Sequence, residues 1–306
     1  MRQQSLRARH VLITGSHGLI GTALGVELER AGYEVERLDL RGEDRSRGDI
    51  LDRAAVERAI DGCIGVVHLA AVSRVIDGER APEVCWRTNV DGTRNVIEAA
   101  LAELRRPWVI YASSREVYGQ PGALPASEDA ALAPVNIYGR SKVAAEDLTA
   151  KADLVTAIVR FSNVYGWVGD HADRVVPAFA RQAAAGLPLR VDGSGHTFDF
   201  THLDDTVRGV LAVVAQLEAG ATLPPLHFVT GTPTTLGHLA SLAVELAGAG
   251  SPVVEGAPRS FDVSRFHGDP SRAAAVLGWR PQVALRDGLA RLIADFRGRR
   301  GPQAVA

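Results

Sequence analysis

The sequence predicts an α/β protein built on a parallel sheet. Three observations lead there. Short apolar runs of strand length alternate with longer stretches of helical period. The first apolar run ends in a glycine turn that opens straight into a helix. Glycine and proline are spread along all 306 residues instead of gathering in a linker, which argues for one compact body or two intertwined parts.

Composition narrows the function classes. Hydrophobic content of 46% and charged content of 23% are ordinary for a soluble globular enzyme. The formal charge is −2, so the chain as a whole draws neither nucleic acid nor an anionic membrane. The basic clusters at Arg105-Arg106 and Arg297 to Arg300 are short and read as solvated surface. Cys63 and Cys85 fit no metal spacing and no disulfide framework. No metal is expected, and a reducing cytoplasm fits. No apolar run approaches the ~20 residues of a membrane span, and the first residues lack the apolar core of a signal peptide.

The elements follow in order. His10 to Thr14 reads as a buried strand. Gly15-Ser-His17-Gly18-Leu19-Ile20-Gly21 is the turn, and Thr22 to Ala31 has helical period. Strand, glycine turn and helix together form the context of a dinucleotide fingerprint. Its glycines let the backbone approach a pyrophosphate, whose charge meets a helix N-terminus. The spacing is G-x-x-G-x-x-G, not the commoner G-x-G-x-x-G. Tyr33 to Leu38 is the next strand, closed by Asp39. A carboxylate there accepts from both hydroxyls of the adenosine ribose and repels a 2′-phosphate, which favours NAD over NADP. Arg41, Arg45 and Arg47 are the opposing consideration. Asp49-Ile50 is a candidate adenine contact or a plain surface loop. Gly65 to Leu69 is a third strand running into Ala70-Ala71, small residues that suit either close cofactor approach or tight packing. Asn89 to Ala102 reads as a helix, and Pro107 to Ala112 as a fourth strand ending at Ser113-Ser114. This alternation predicts a Rossmann-type doubly wound parallel sheet, in which ligands bind beyond the carboxyl ends of the strands.

Tyr138 and Lys142 lie in the next helical stretch. Four residues apart, they share one helix face. An ammonium beside the phenol favours the ionised phenolate, a base able to take a hydroxyl proton. Of the 34 basic residues only Lys142 and Lys151 are lysines, so the compact point charge stands where arginine is otherwise the rule. Ser114 at a strand end can converge with this pair on one hydroxyl. Further on, Thr206 to Leu217, Leu236 to Ala249, Ser271 to Leu277 and Leu285 to Phe296 read as helices, and Leu226 to Gly231 as a strand.

These motifs resemble the extended short-chain dehydrogenase/reductases, and within them the NAD-dependent nucleotide-sugar epimerase/dehydratase family. The resemblance is carried by Thr14 to Gly21, His68 to Ala71, Asn89 to Thr93, Ser114 to Gly119, Tyr138 to Lys142, Arg160 to Gly166, Asp199 to Asp205 and Leu277 to Trp279, in the family's order. It implies a smaller interleaved C-terminal α/β substrate domain. The cofactor domain then takes 1–166 and about 198–225, the substrate domain about 167–197 and 226–306. It also implies a homodimer formed through the helices near 90–104 and 138–151.

The same resemblance assigns roles. Tyr138 is the base, Lys142 holds the nicotinamide ribose, and Ser114 hydrogen-bonds the reacting oxygen. Gly15, His17, Gly18, Leu19, Ile20, Asp39, Asp49, Ile50, Leu69, Ala70, Ala71, Asn89 and Phe161 complete the NAD contacts. Ser73, Arg115, Asn163, Val176, Arg190, Phe198 and Arg259 are the substrate candidates, with Asn163 and Arg259 at the diphosphate and Val176 opening the stretch that folds over the nucleotide.

Two departures stand out. Phe198 occupies the position where the family carries a phosphate-gripping arginine, and Arg259-Ser-Phe261-Asp replaces the family's Arg-Pro-Gly-Asp. A lost charge-assisted contact costs ~1.5–3 kcal/mol. Either Arg190, Arg265 or Arg174 substitutes, or the ligand is not an ordinary nucleotide sugar; the plain reading of Phe198 is packing. Many dehydratases carry Asp-Glu at Arg115-Glu116, so the usual acid is absent while Glu116 remains, as a catalytic base or a paired loop carboxylate. The expectation is a nucleotide-sugar 4-epimerase, with Glu116-assisted dehydration or decarboxylation second and a sugar dehydrogenase third.

Overall fold

The computed structural model describes residues 9–258 and 263–298. In chain order the elements are β1 (His10–Thr14), α1 (Leu19–Arg30), β2 (Glu34–Leu38), α2 (Arg53–Ile60), β3 (Gly65–His68), α3 (Val75–Arg80), α4 (Pro82–Trp86), α5 (Gly92–Ala102), β4 (Trp108–Ser114), α6 (Ile137–Lys151) and β5 (Thr156–Phe161). They continue as β6 (Asn163–Tyr165), α7 (Val175–Ala185), β7 (Leu189–Asp192), β8 (Thr197–Phe198), β9 (Phe200–His202), α8 (Leu203–Glu218), β10 (Leu226–Phe228), β11 (Thr234–Thr235), α9 (Leu236–Ala247), β12 (Val253–Gly256), α10 (Ser271–Leu277) and α11 (Leu285–Gly298). The main sheet has six strands in the order β10-β5-β4-β3-β1-β2. β1 runs parallel to both β2 and β3, and β3 runs parallel to β4. This is the doubly wound α/β sheet that the alternation of runs predicts.

The chain falls into two compact units. One takes the chain up to Ser113, with Ile137–Val159 and Val210–Pro225. The other takes Ser114–Asn136, Arg160–Gly209 and the chain from Leu226 onward. In the first unit β1, β3 and β4 are buried along almost their whole length because both faces are covered. Leu12, Val66 and Val109 from the sheet meet Val56 and Ile60 of α2 and Val96, Ile97 and Ala100 of α5 in one cluster. Each fully buried aliphatic side chain contributes roughly 1.5–3 kcal/mol. In the second unit α7, α9 and α11 supply Phe179, Leu239, Leu289 and Leu292, which close over Leu189, Phe198 and Phe200.

Element ends differ from the pattern in physically readable ways. Arg87–Asp91 is one turn of π-helix ahead of α5, so the regular helix begins at Gly92, not at Asn89. α8 starts at Leu203, because Asp204 and Asp205 suit a first helical turn although they read as loop. A buried polar knot ties the second unit. Arg160 donates to the Tyr118 hydroxyl at 2.6 Å and to the Glu128 carbonyl at 2.8 Å. Tyr118 Oη lies 2.5 Å from His227 Nε2. Burial, and secondarily the Arg160 charge, push the His227 pKa down to about 3. Tyr118 and Arg160, prominent in the sequence motifs, are therefore framework.

Gly65 shows how closely adjacent strands pack, since Trp108 is its neighbour on β4. A Cβ there would lie 2.0 Å from the Trp108 ring. Gly65→Ala is expected to cost about 1–3 kcal/mol and to lower the melting temperature by several degrees in a thermal scan. An unchanged melting temperature would contradict this packing.

Candidate active site

The candidate residues divide between the two units. In the first, the turn after β1 is shaped by its glycines. Gly15 has φ +70°, and a Cβ there would sit 2.7 Å from the Ala70 nitrogen. A Cβ on Gly21 would meet the Gly15 carbonyl at 2.4 Å. This brings α1 against the turn. Its N-cap is Gly18, and no side chain caps it. The first-turn N–H groups therefore start the helix without a side-chain acceptor, the arrangement that receives a pyrophosphate. At the end of β2, Asp39 is buried and accepts from the His17 nitrogen at 2.9 Å and the Arg41 nitrogen at 2.8 Å. Arg41 Nε lies 3.3 Å from the same carboxylate. Burial raises the Asp39 pKa, but these donors outweigh it and hold the carboxyl below its ordinary value. Each oxygen keeps further lone-pair directions for a ribose diol. The cradle and the carboxylate fit a dinucleotide.

Around them the small-residue strand end is braced. Ala70 donates to the Thr14 hydroxyl at 3.2 Å. Asn89 is fully committed: its oxygen accepts from the Val72 nitrogen at 2.8 Å and its amide donates to the Ser141 hydroxyl at 2.9 Å. It ties the segment after β3 to α6. Asp49 caps a turn through the Leu51 nitrogen at 2.9 Å, and Ile50 is core. Leu69 and Ala71 are half-buried beside Ala70.

α6 carries Tyr138 and Lys142, both buried. Lys142 Nζ donates to the Ala112 carbonyl at 2.8 Å. It lies 5.0 Å from the Tyr111 ring and 5.8 Å from the Tyr138 ring. Burial pushes its pKa down to about 8, with Cys85 and Glu146 opposing. Burial first, and Lys142 second, push His68 down to about 3, leaving it neutral between the Thr14 and Thr93 hydroxyls.

In the second unit, Ser114 caps the 3₁₀ turn Arg115–Tyr118 by accepting from the Glu116 nitrogen at 3.2 Å. Glu116 is buried and held on both oxygens: Arg115 Nη2 lies 2.9 Å from Oε1, and Asn136 Nδ2 donates to Oε2 at 2.8 Å. Phe198, on β8, belongs to the core, so its packing role is real. It also lies under Arg115, whose guanidinium carbon is 4.5 Å from the ring centroid. Asn163 donates through Nδ2 to the Asp199 carbonyl at 3.3 Å. Phe161 is buried 6.1 Å from Phe228, and Val176 is in the core of α7. Arg190 is exposed on β7 and paired with Asp192 at 2.8 Å. Ser73 is exposed. Arg259 and Phe261 lie outside the described residues. Asn136, Phe266 and Ser113 were not singled out from sequence. Each acts through a partner far along the chain or, for Ser113, through a buried hydroxyl with no hydrogen-bond partner, and neither leaves a local signature.

Among the described residues, no group of three or more His, Cys, Asp or Glu could hold a metal ion. No described helix is long and apolar enough to cross a membrane. Cys63 and Cys85 are buried free thiols.

Fold and site together define a dinucleotide-dependent enzyme of the extended short-chain dehydrogenase/reductase type. The chain belongs to the NAD-dependent epimerase/dehydratase family, whose sequence model matches residues 11–229. NAD is the cofactor. Two curated relatives carry different reactions. The UDP-glucose 4-epimerase of Mycolicibacterium smegmatis is 31% identical over 313 residues, covering 94% of this chain and 98% of that one. The dTDP-glucose 4,6-dehydratase of Streptomyces griseus is 34% identical over 321 residues, covering 95% of each. Among solved structures, the UDP-glucose 4-epimerase of Brucella ovis in complex with NAD superposes with a TM-score of 0.86 at 28% identity, over 95% of this chain and 99% of that one.

Two outcomes follow. Asp39→Ala removes the diol acceptor and frees Arg41, so calorimetry should find NAD binding weakened and the NAD-over-NADP preference reduced by about tenfold or more. An unchanged preference contradicts the adenosine-side assignment. The second concerns Lys142. Between about pH 8 and 10.5 the unfolded chain binds a proton here that the folded chain does not. Stability at this site therefore rises with pH across that window, and below about 8 the full penalty applies. Relative to wild type without cofactor, Lys142→Met should gain stability, and the gap should narrow by roughly 2 kcal/mol from pH 7.5 to 9.5 in urea unfolding. A gap independent of pH would contradict a buried ammonium.

Proposed function

We propose that the enzyme epimerises a nucleotide sugar at C4. Bound NAD supplies the acceptor for the C4–H electron pair. Tyr138 takes the proton of the C4 hydroxyl, and the buried Lys142 ammonium stabilises the resulting phenolate. Ser114 donates a hydrogen bond to the same oxygen. The 4-keto sugar then turns over, the C–H bond reforms on the opposite face, and Tyr138 returns the proton.

One observation carries the choice of reaction: Glu116 is engaged on both oxygens by Arg115 and Asn136. Dehydration needs a free base for the C5 proton and an acid for the departing hydroxyl. A carboxylate held by a guanidinium and an amide is poorly placed to be that base. Arginine keeps its proton at neutral pH and cannot be the acid. Epimerisation needs neither. Similarity to both an epimerase and a dehydratase leaves Glu116-assisted dehydration as the second reading, favoured by the position of Glu116 beside Ser114.

Tyr138→Phe should lower turnover by ~10³-fold or more while NAD stays bound. Glu116→Gln, which keeps the shape, should keep kcat at saturating substrate within about tenfold of wild type if the reaction is epimerisation, with any further loss falling on KM. A panel of nucleotide sugars with products resolved by NMR checks both. A product of unchanged mass with one inverted carbinol supports the reading. A product lighter by water or carbon dioxide, abolished in Glu116→Gln, sinks it.

A further inference from the structure

Phe198 leaves this chain without the arginine that the family resemblance places before Asp199. Two of the three substitutes suggested by sequence are engaged by carboxylates. Arg190 is exposed and paired with Asp192, and Arg174 faces Asp170 at 3.7 Å. Arg265 is exposed beside the bridge to Thr197. Arg115, on the turn after β4, reaches the position instead. Its guanidinium carbon stands 4.5 Å above the Phe198 ring and 5.8 Å from the Phe266 ring. The platform is rigid: Phe198 is edge-on to His196 and Phe200 with centroids 6.3 and 6.5 Å away.

The hydrogen bonds of Arg115 are asymmetric. Nη2 is taken by Glu116 at 2.9 Å. Nη1 is buried and has no hydrogen-bond partner. Buried guanidinium donors are rarely left unmade, because the lost hydration is then not returned. Here the ring faces and Glu116 fix the plane of the fork and leave one edge unused. Such an edge is suited to an oxyanion. Ser114 caps the same turn, so the serine assigned to the reacting oxygen and the free edge of Arg115 are held by one local structure.

We propose that Arg115 replaces the missing arginine, its Nη1 binding an oxyanion of the sugar nucleotide: a diphosphate oxygen or a carboxylate on the sugar. The cation has moved from β8 to the turn after β4, and Phe198 serves as the surface that carries it. Glu116 then positions Arg115. The proposal rests on the sugar-nucleotide class of substrate and is independent of whether the reaction is epimerisation.

The test is calorimetry on the NAD-loaded full chain with UDP, UDP-glucose and UDP-glucuronate, comparing wild type, Arg115→Gln and Arg115→Lys. If the anion is the diphosphate, Arg115→Gln weakens all three ligands alike, by about 10- to 100-fold. If it is a sugar carboxylate, wild type prefers UDP-glucuronate, and the ratio of its affinity to that of UDP-glucose collapses by a similar factor in Arg115→Gln. Arg115→Lys keeps the charge without the fork and should recover part of the loss. It also carries the test if the glutamine variant does not fold, with a loss of at least about threefold expected. Changes below threefold for every ligand overturn the proposal, as does a wild type that binds none of the three. Arg115-dependent binding without an epimerised product would sink the reaction assigned above and leave this proposal standing.

Discussion

Burying the ammonium of Lys142 is the constraint from which the catalytic arrangement follows. A cation out of water needs a partner, and the Ala112 carbonyl at the end of β4 provides one at 2.8 Å. Cys85 and Glu146 partly offset the cost of burial, and the nearby rings add no charge of their own. Burial keeps Tyr111 a phenol, and burial with Lys142 itself keeps His68 neutral. The pKa of Lys142 still falls to about 8. Such a cation gains most when a negative charge forms near it, and the phenolate of Tyr138 is one turn away on the same helix. Strand end, helix face and buried charge are thus one device.

A second device belongs to the other unit and concerns where positive charge is placed. Arg115 and Glu116 neutralise each other within the turn, while Phe198 and Phe266 stack on the guanidinium. Breaking such a pair by deleting one partner leaves an uncompensated buried charge, a loss of about 3–5 kcal/mol. The pair therefore fixes the turn that Ser114 caps as well as its own geometry. An arginine and a phenylalanine that look like separate departures from the family pattern become one rearrangement.

The fold was legible because its signals are local. Strand, glycine turn and helix follow one another within Thr14 to Arg30, and Tyr138 and Lys142 are four residues apart. Asp39 could be placed because it closes a strand. What escaped is made by residues distant in sequence. Nothing near Phe198 announces that Arg115 lies on it, nor that Asn136 holds Glu116. The motif marks Asn89 as a cofactor contact. Its hydrogen bonds to Val72 and Ser141 give it a bracing role that no spacing encodes. The π-turn at Arg87–Asp91 also has no sequence mark, since its residues keep helical period.

Under the proposed epimerisation, the hydrogen removed from C4 returns to C4. This return is tested most directly with a UDP-hexose deuterated at C4, incubated with the NAD-loaded protein and followed by NMR. Epimerisation leaves the deuterium on C4, with inverted configuration in the product. Deuterium found at C6 would contradict the account, because a 4,6-dehydration delivers the C4 hydrogen to the carbon that has lost its hydroxyl.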